Sequence, residues 1–120
     1  MDQTILSAIR NKRVLSLIYH RRPIDFEPYV YGHMLFGCDF LFGWQRAGLY
    51  TTWRVLRLDQ RAQQFRETSQ TFDAPRPGYH TSMLAHVTAV YAHLDAVQPP
   101  PLVAEVAPVP VKRSAGRRAS

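Results

Sequence analysis

From Val14 to Thr68 the chain is a succession of short runs rich in β-branched and aromatic residues, each stopped by turn residues. That punctuation confines it to a small β structure. Val14 to Tyr19 is the first run, ended by His20-Arg21-Arg22-Pro23. Ile24 to Met34 is a longer, irregular second, because Pro28 has no N–H to give a central ladder and marks an edge or a bend. Phe36-Gly37-Cys38-Asp39 turns the chain into Phe40 to Trp44, the most strand-like run, and Gln45 to Tyr50 reads as a Gly-containing hairpin loop. Thr51 to Leu58 alternates Trp53, Val55 and Arg57 on one face with Arg54, Leu56 and Leu58 on the other, and Arg61 to Thr68 is a weaker fifth strand. Four or five short strands on tight turns predict a small antiparallel barrel or a strongly curled sheet, which leaves few exposed edges.

Helices are expected on both flanks. Asp2 to Asn11 sets Ile5, Leu6 and Ile9 at helical spacing, with Asp2 as N-cap and Arg10, Lys12 and Arg13 toward the negative end of the dipole. Ala74 to Tyr79, with two prolines and a glycine, ends the sheet region. From Thr81 to Val97, Met83, Val87, Val90, Leu94 and Val97 recur at steps of four, three, four and three, which predicts a C-terminal helix with one apolar stripe. Beyond Gln98, five prolines in thirteen residues and then a basic run predict an extended, mobile tail, so residues 1–97 form the domain and 98–120 the tail.

A chain of 120 residues and 13.8 kDa makes one domain with a hydrophobic core. Its apolar runs fall far short of the ~20 residues that cross a bilayer. The opening Met-Asp-Gln-Thr-Ile-Leu lacks the charge pattern and apolar core of a signal peptide, so a cytoplasmic location without membrane contact is expected. The lone Cys38 cannot form an internal disulfide or a multi-cysteine zinc site. Half of the net charge of +6 lies in the tail, on Lys112, Arg113, Arg117 and Arg118 against Glu105, so the folded part is only mildly basic.

Neither metal nor cofactor is called for. His86 and His93, read on the last helix, stand two turns apart with Ala89 between them and are taken as solvated; Asp25 and Glu27, two apart on a strand, are taken as partners of Arg21 or Arg22. No phosphate loop, nucleophile elbow or His-Glu-x-x-His pattern supports an enzyme. The informative set is Arg54, Arg57 and Arg61 around Trp53. Guanidinium forks match phosphate and neighbouring rings stack on bases, so an arginine-lined sheet face is a platform for nucleotides or oligonucleotides.

The order of these features resembles the WYL domains of bacteria, in particular their stand-alone members. The residues that carry the resemblance are Lys12-Arg13-Val14-Leu15, Tyr19, Glu27-Pro28, Phe40 to Trp44, Trp53 to Asp59, Phe72 and Arg76-Pro77-Gly78-Tyr79, spread over residues 3–97; Asp39-Phe40-Leu41 stands where the name-giving Trp-Tyr-Leu would fall. The resemblance implies an Sm-like, Src-homology-like five-stranded barrel and a regulatory or sensing module that binds nucleotides or single-stranded nucleic acid. The segment ahead of the first strand holds no helix-turn-helix, so transcriptional regulation would act through a partner or by direct nucleic-acid contact.

Two functions are then expected. In the first, a non-enzymatic module takes a phosphorylated ligand or single-stranded nucleic acid on a face lined by Arg54, Arg57 and Arg61 with Tyr19 and Phe40 nearby. In the second, an interaction subunit uses the stripe from Met83 to Val97 or the barrel edge to form a homodimer or to dock into a larger defence or nucleic-acid-processing complex.

Overall fold

The computed structural model describes residues 1–35, 37–47, 51–73 and 75–103. Phe36, residues 48–50 of the expected hairpin loop, Ala74 and the tail from residue 104 onward lie outside them. Helix α1 (Gln3–Asn11) leads into β1 (Arg13–Tyr19), β2 (Arg22–Met34), β3 (Asp39–Ala47), β4 (Thr52–Leu58), β5 (Ala62–Thr71) and β6 (Val87–His93). All pairings are antiparallel, in one open sheet ordered β4-β3-β2-β1-β5 with β6 added to β2.

Helix α1 starts as its sequence requires: the Asp2 carboxylate accepts from the Thr4 and Ile5 N–H groups. It ends at Lys12, whose left-handed backbone lets its N–H donate to the Ala8 and Ile9 carbonyls. Ile5, Ala8 and Ile9 are buried against the sheet.

Strand β2 organises everything else. One edge pairs β3 from Asp25 to His33, while the other is divided between β1, over Arg22 to Phe26, and β6, over Val30 to Met34. The expected bend at Pro28 is a bulge: Pro28 opposes Gly43, Val30 opposes Phe42, and Tyr29 is the extra residue. A Cβ on Gly43 would collide with the Glu27 carbonyl oxygen, so only glycine lets the strands meet there. Tyr29, Tyr31, Phe26, Phe40 and Phe42 fill the core with Leu15, Leu17, Leu41 and Leu56.

Two expectations are corrected. The barrel does not close. The end strands β4 and β5 are joined by a short turn but do not pair; the Arg57 N–H on the edge of β4 donates instead to the Tyr19 hydroxyl, 3.0 Å away. The C-terminal helix is a strand, since Val87, Thr88, Val90 and Tyr91 favour extended backbone and the half-vacant edge of β2 offers them hydrogen bonds. The stripe therefore serves the core in extended form: Val87, Leu94 and Val97 are buried, while Met83 is 44% exposed.

The stretch after Val97 makes specific contacts. The Tyr79 hydroxyl donates to the Gln98 carbonyl at 2.6 Å, the Val103 N–H donates to the Val87 carbonyl at 2.8 Å, and Pro100 is buried. No helix is long and apolar enough to cross a membrane among the described residues.

Candidate functional site

Two of the arginines singled out from sequence, Arg54 and Arg57, contact Tyr19 at the end of β1. Arg54 lies over the Tyr19 ring, 5.3 Å from its centroid, and donates to the Gln45 side-chain oxygen at 2.7 Å. Tyr19 also accepts the Arg57 N–H, so one phenol ties both positions of β4 to β1. The Arg57 side chain is exposed, and its guanidinium is held above the ordinary arginine value first by a hydrogen bond with the Cys38 sulfur. Arg61 sits in the turn between β4 and β5, where its side chain pairs with Asp59 and its carbonyl accepts from the His20 N–H at 2.9 Å. The Arg61 N–H in turn lowers the Asp59 carboxyl below its usual range.

The two rings are placed differently from the expectation. Phe40 is fully buried and Tyr19 is 6% exposed, with Arg54 already over its face. Neither presents a surface on which a base stacks, because both were recruited to the core that β3 and β1 share. The exposed ring at this corner is His20, edge-on to Tyr19 at 4.7 Å. His20 and Arg21 both take left-handed backbone, which folds the β1–β2 connection into a tight turn of the mirror-image hairpin type. This turn and the β4–β5 turn flank a cleft of about 360 Å³ lined by Ile18, His20, Arg21, Gln60, Arg61 and Gln63. Arg21 and Arg22 are exposed and form no ion pair among the described residues.

A second polar cluster was not read correctly from sequence. Glu27 is 1% exposed, and its carboxylate takes a two-pronged contact from Arg76 at 2.9 and 2.8 Å with Arg46 at 3.4 Å, rather than pairing with Arg21 or Arg22. This carboxylate, together with lesser causes, holds the Arg76 guanidinium above its ordinary value. Arg76 also lies over Trp44 at 4.8 Å, and its N–H donates to the Tyr29 hydroxyl. Tyr79, three residues on, stacks on Tyr29 and meets Trp53 edge-on. Burial pushes its hydroxyl up to about 12, with Tyr29 adding to the shift. Phe72 and the residues from Pro75 to Tyr79 thus strap the aromatic face of β2, β3 and β4. The available signal was Arg76-Pro77-Gly78-Tyr79, a rigid turn carrying a cation beside an aromatic.

Elsewhere, Asp39 accepts from the Tyr91 hydroxyl at 2.9 Å and lies 2.8 Å from the His33 ring nitrogen. Among the described residues, no three His, Cys, Asp or Glu side chains gather to hold a metal ion. No protein-family model, curated protein or solved structure matches the chain, so its site is read from its own geometry.

Proposed function

We propose that the chain is a non-enzymatic binding module that takes a phosphate-bearing ligand, a nucleotide or a short single-stranded nucleic acid, at the corner formed by the β1–β2 and β4–β5 turns. The observation that carries this reading is the cleft between Arg21 and Arg61, with His20 on its wall, Arg22 next in sequence to Arg21, and Arg54 and Arg57 tied alongside through Tyr19. Arg21 and Arg22 have no carboxylate partner among the described residues, whereas Arg61 shares its charge with Asp59, and guanidinium groups free of a carboxylate bind phosphate oxygens with charge-assisted hydrogen bonds. Arg54 and Tyr19 support the corner from beneath, Phe40 holds the strand that Arg57 opposes, and His20 is the ring left for stacking. The path β4-β3-β2-β1-β5, curled so that Tyr19 reaches β4, supports an opened Sm-like barrel, and a sensing role follows the WYL resemblance. The interaction-subunit reading loses its main argument, because the apolar stripe it relied on is largely buried within the fold.

The test is fluorescence anisotropy with a short single-stranded oligonucleotide and with a nucleoside triphosphate. The full-length chain carries Lys112, Arg113, Arg117 and Arg118 replaced by Gln, so that non-specific attraction by the tail is removed. Arg21→Ala and Arg57→Ala should each weaken binding roughly tenfold. Affinity should fall steeply between about 50 and 200 mM salt. Absence of binding, or variants that bind like the parent, would refute the assignment.

A further inference from the structure

A second cleft, of about 530 Å³, opens between the last turn of α1 and the end of β6, remote in sequence from the arginine turns. Its volume falls in the range of pockets that hold small organic ligands. The apolar lining is Leu6 and Ile9 from α1, Ala92 from β6, and Leu94 and Ala96 from the residues after it; His93 also lines the cleft, with its ring nitrogen 2.8 Å from the Leu94 carbonyl oxygen. Ile9 and Leu94 are buried, whereas Leu6 is only half-buried and leaves hydrocarbon in contact with water.

The charges on this cleft are arranged by sign. Arg10 and Lys12 come from the helix side and Asp95 from the facing turn. All three are exposed, and none forms an ion pair among the described residues, although the charge of Arg10 is one of the lesser causes that lower Glu67. Opposite charges that share one cleft without touching leave a gap that a molecule with both charges can bridge. The helix terminus does not reverse this polarity: its carbonyls already accept the Lys12 N–H, and its dipole amounts to about half a charge against two full cations.

We propose that this cleft binds a small apolar zwitterion, an α-amino acid or a dipeptide with hydrocarbon side chains. Its carboxylate lies toward Arg10 and Lys12, its ammonium toward Asp95, and its side chain on Leu6, Ile9 and Leu94. A simple fatty acid would leave Asp95 facing its anionic or apolar parts, and an alkylammonium would meet Arg10 and Lys12. Only the doubly charged ligand uses both walls.

The test follows the methyl resonances of Leu6, Ile9 and Leu94 in the full-length chain as L-norleucine or L-leucyl-L-leucine is added to about 10 mM. Saturable shifts with either ligand support the proposal, and the tighter of the two fixes the ligand length. N-acetyl-leucyl-leucine, lacking the ammonium, and leucyl-leucinamide, lacking the carboxylate, should each bind about tenfold more weakly. Asp95→Asn should abolish the penalty for acetylation, and Arg10→Gln with Lys12→Gln should abolish the penalty for amidation. All three substitutions lie at exposed positions, and the capped ligands make the same comparison on the unaltered fold. Absence of shifts, capped forms binding within about twofold of the free zwitterion, or variants that preserve the discrimination would each overturn the assignment.

Discussion

Removing the guanidinium of Arg76 should expose how the strap over the aromatic face is held. Its carboxylate partner, Glu27, is 1% exposed, and cutting one member of a buried pair commonly costs about 3–5 kcal/mol because the other charge is left behind. Two features reduce that figure. Arg46 remains 3.4 Å from the same carboxylate, and the Arg76 side chain is 37% exposed, so part of its field is already screened by water. The ion-pair share is then about 2 kcal/mol, and the lost contact over Trp44 adds about 0.5–1 kcal/mol. At about 4 °C per kcal/mol for a domain of this size, Arg76→Ala should melt roughly 10–12 °C below the parent.

A double-mutant cycle separates this cause from a general loosening of the segment. Glu27→Gln removes the buried charge and leaves both arginines with access to water, so it should cost only about 1 kcal/mol. Adding it to Arg76→Ala should restore part of the lost stability, because no uncompensated carboxylate then remains in the core. Urea unfolding of the four proteins gives the coupling directly. An Arg76→Ala loss under about 0.5 kcal/mol, or a double variant whose loss equals the sum of the single ones, would refute the reasoning.

The burial that pushes the Tyr79 hydroxyl up to about 12 gives stability that is complete below its ordinary value of 10 and is lost as pH rises through the folded value; Tyr79→Phe should flatten that alkaline limb in circular-dichroism melts. Glu67 is shifted the opposite way, lowered first by its hydrogen bond from Ser7, so its contribution is present above its ordinary value of 4.5 and disappears as pH falls through the lower folded value. An acid limb unchanged by Glu67→Gln would contradict this. Asp2→Ala leaves the Thr4 and Ile5 N–H groups without their acceptor and should cost about 1 kcal/mol in urea unfolding. A chain ending at Val97 loses the Val103–Val87 and Tyr79–Gln98 hydrogen bonds and the buried Pro100, and should be destabilised by about 2 kcal/mol, whereas one ending at Val103 should unfold within about 0.5 kcal/mol of the full chain.

Local signals were legible wherever one interaction dominated. The Asp2 cap, the α1 stripe and the five strand runs from Val14 onward are each decided within a few residues, and the elements stand where those signals put them. The residues from Met83 to Val97 show where such signals fail. Their spacing suits a helix, but Val87, Val90 and Tyr91 also suit a strand, and the deciding term is non-local: β2 outruns β1 and leaves Val30 to Met34 without partners on that edge. Backbone groups in a sheet must be satisfied, and β6 satisfies them. Closure of the barrel was equally non-local, since it depended on whether the edge of β4 met β5 or was capped by a side chain from β1.

For the candidate site, residue type was legible and exposure was not. Arg54 and Arg57 of β4 both meet Tyr19, while Arg61 touches the neighbouring His20 through its carbonyl and turns its side chain to Asp59; a sequence gives the same weight to an aromatic that faces water and to one that fills a core. Phe40 and Tyr19 each sit on a strand already packed with buried residues, Leu41 and Phe42 on β3 and Leu15 and Leu17 on β1, and covering a large ring there gains about 1.5–3 kcal/mol, more than an exposed ring returns before any ligand arrives. The exposed Arg21, Arg22, Arg57 and Arg61 face no such competition, since burying a guanidinium is costly. Under the proposed function, recognition at this corner falls to the charges and to His20, the exposed ring of the β1–β2 turn. Binding there should follow ionic strength more closely than base identity.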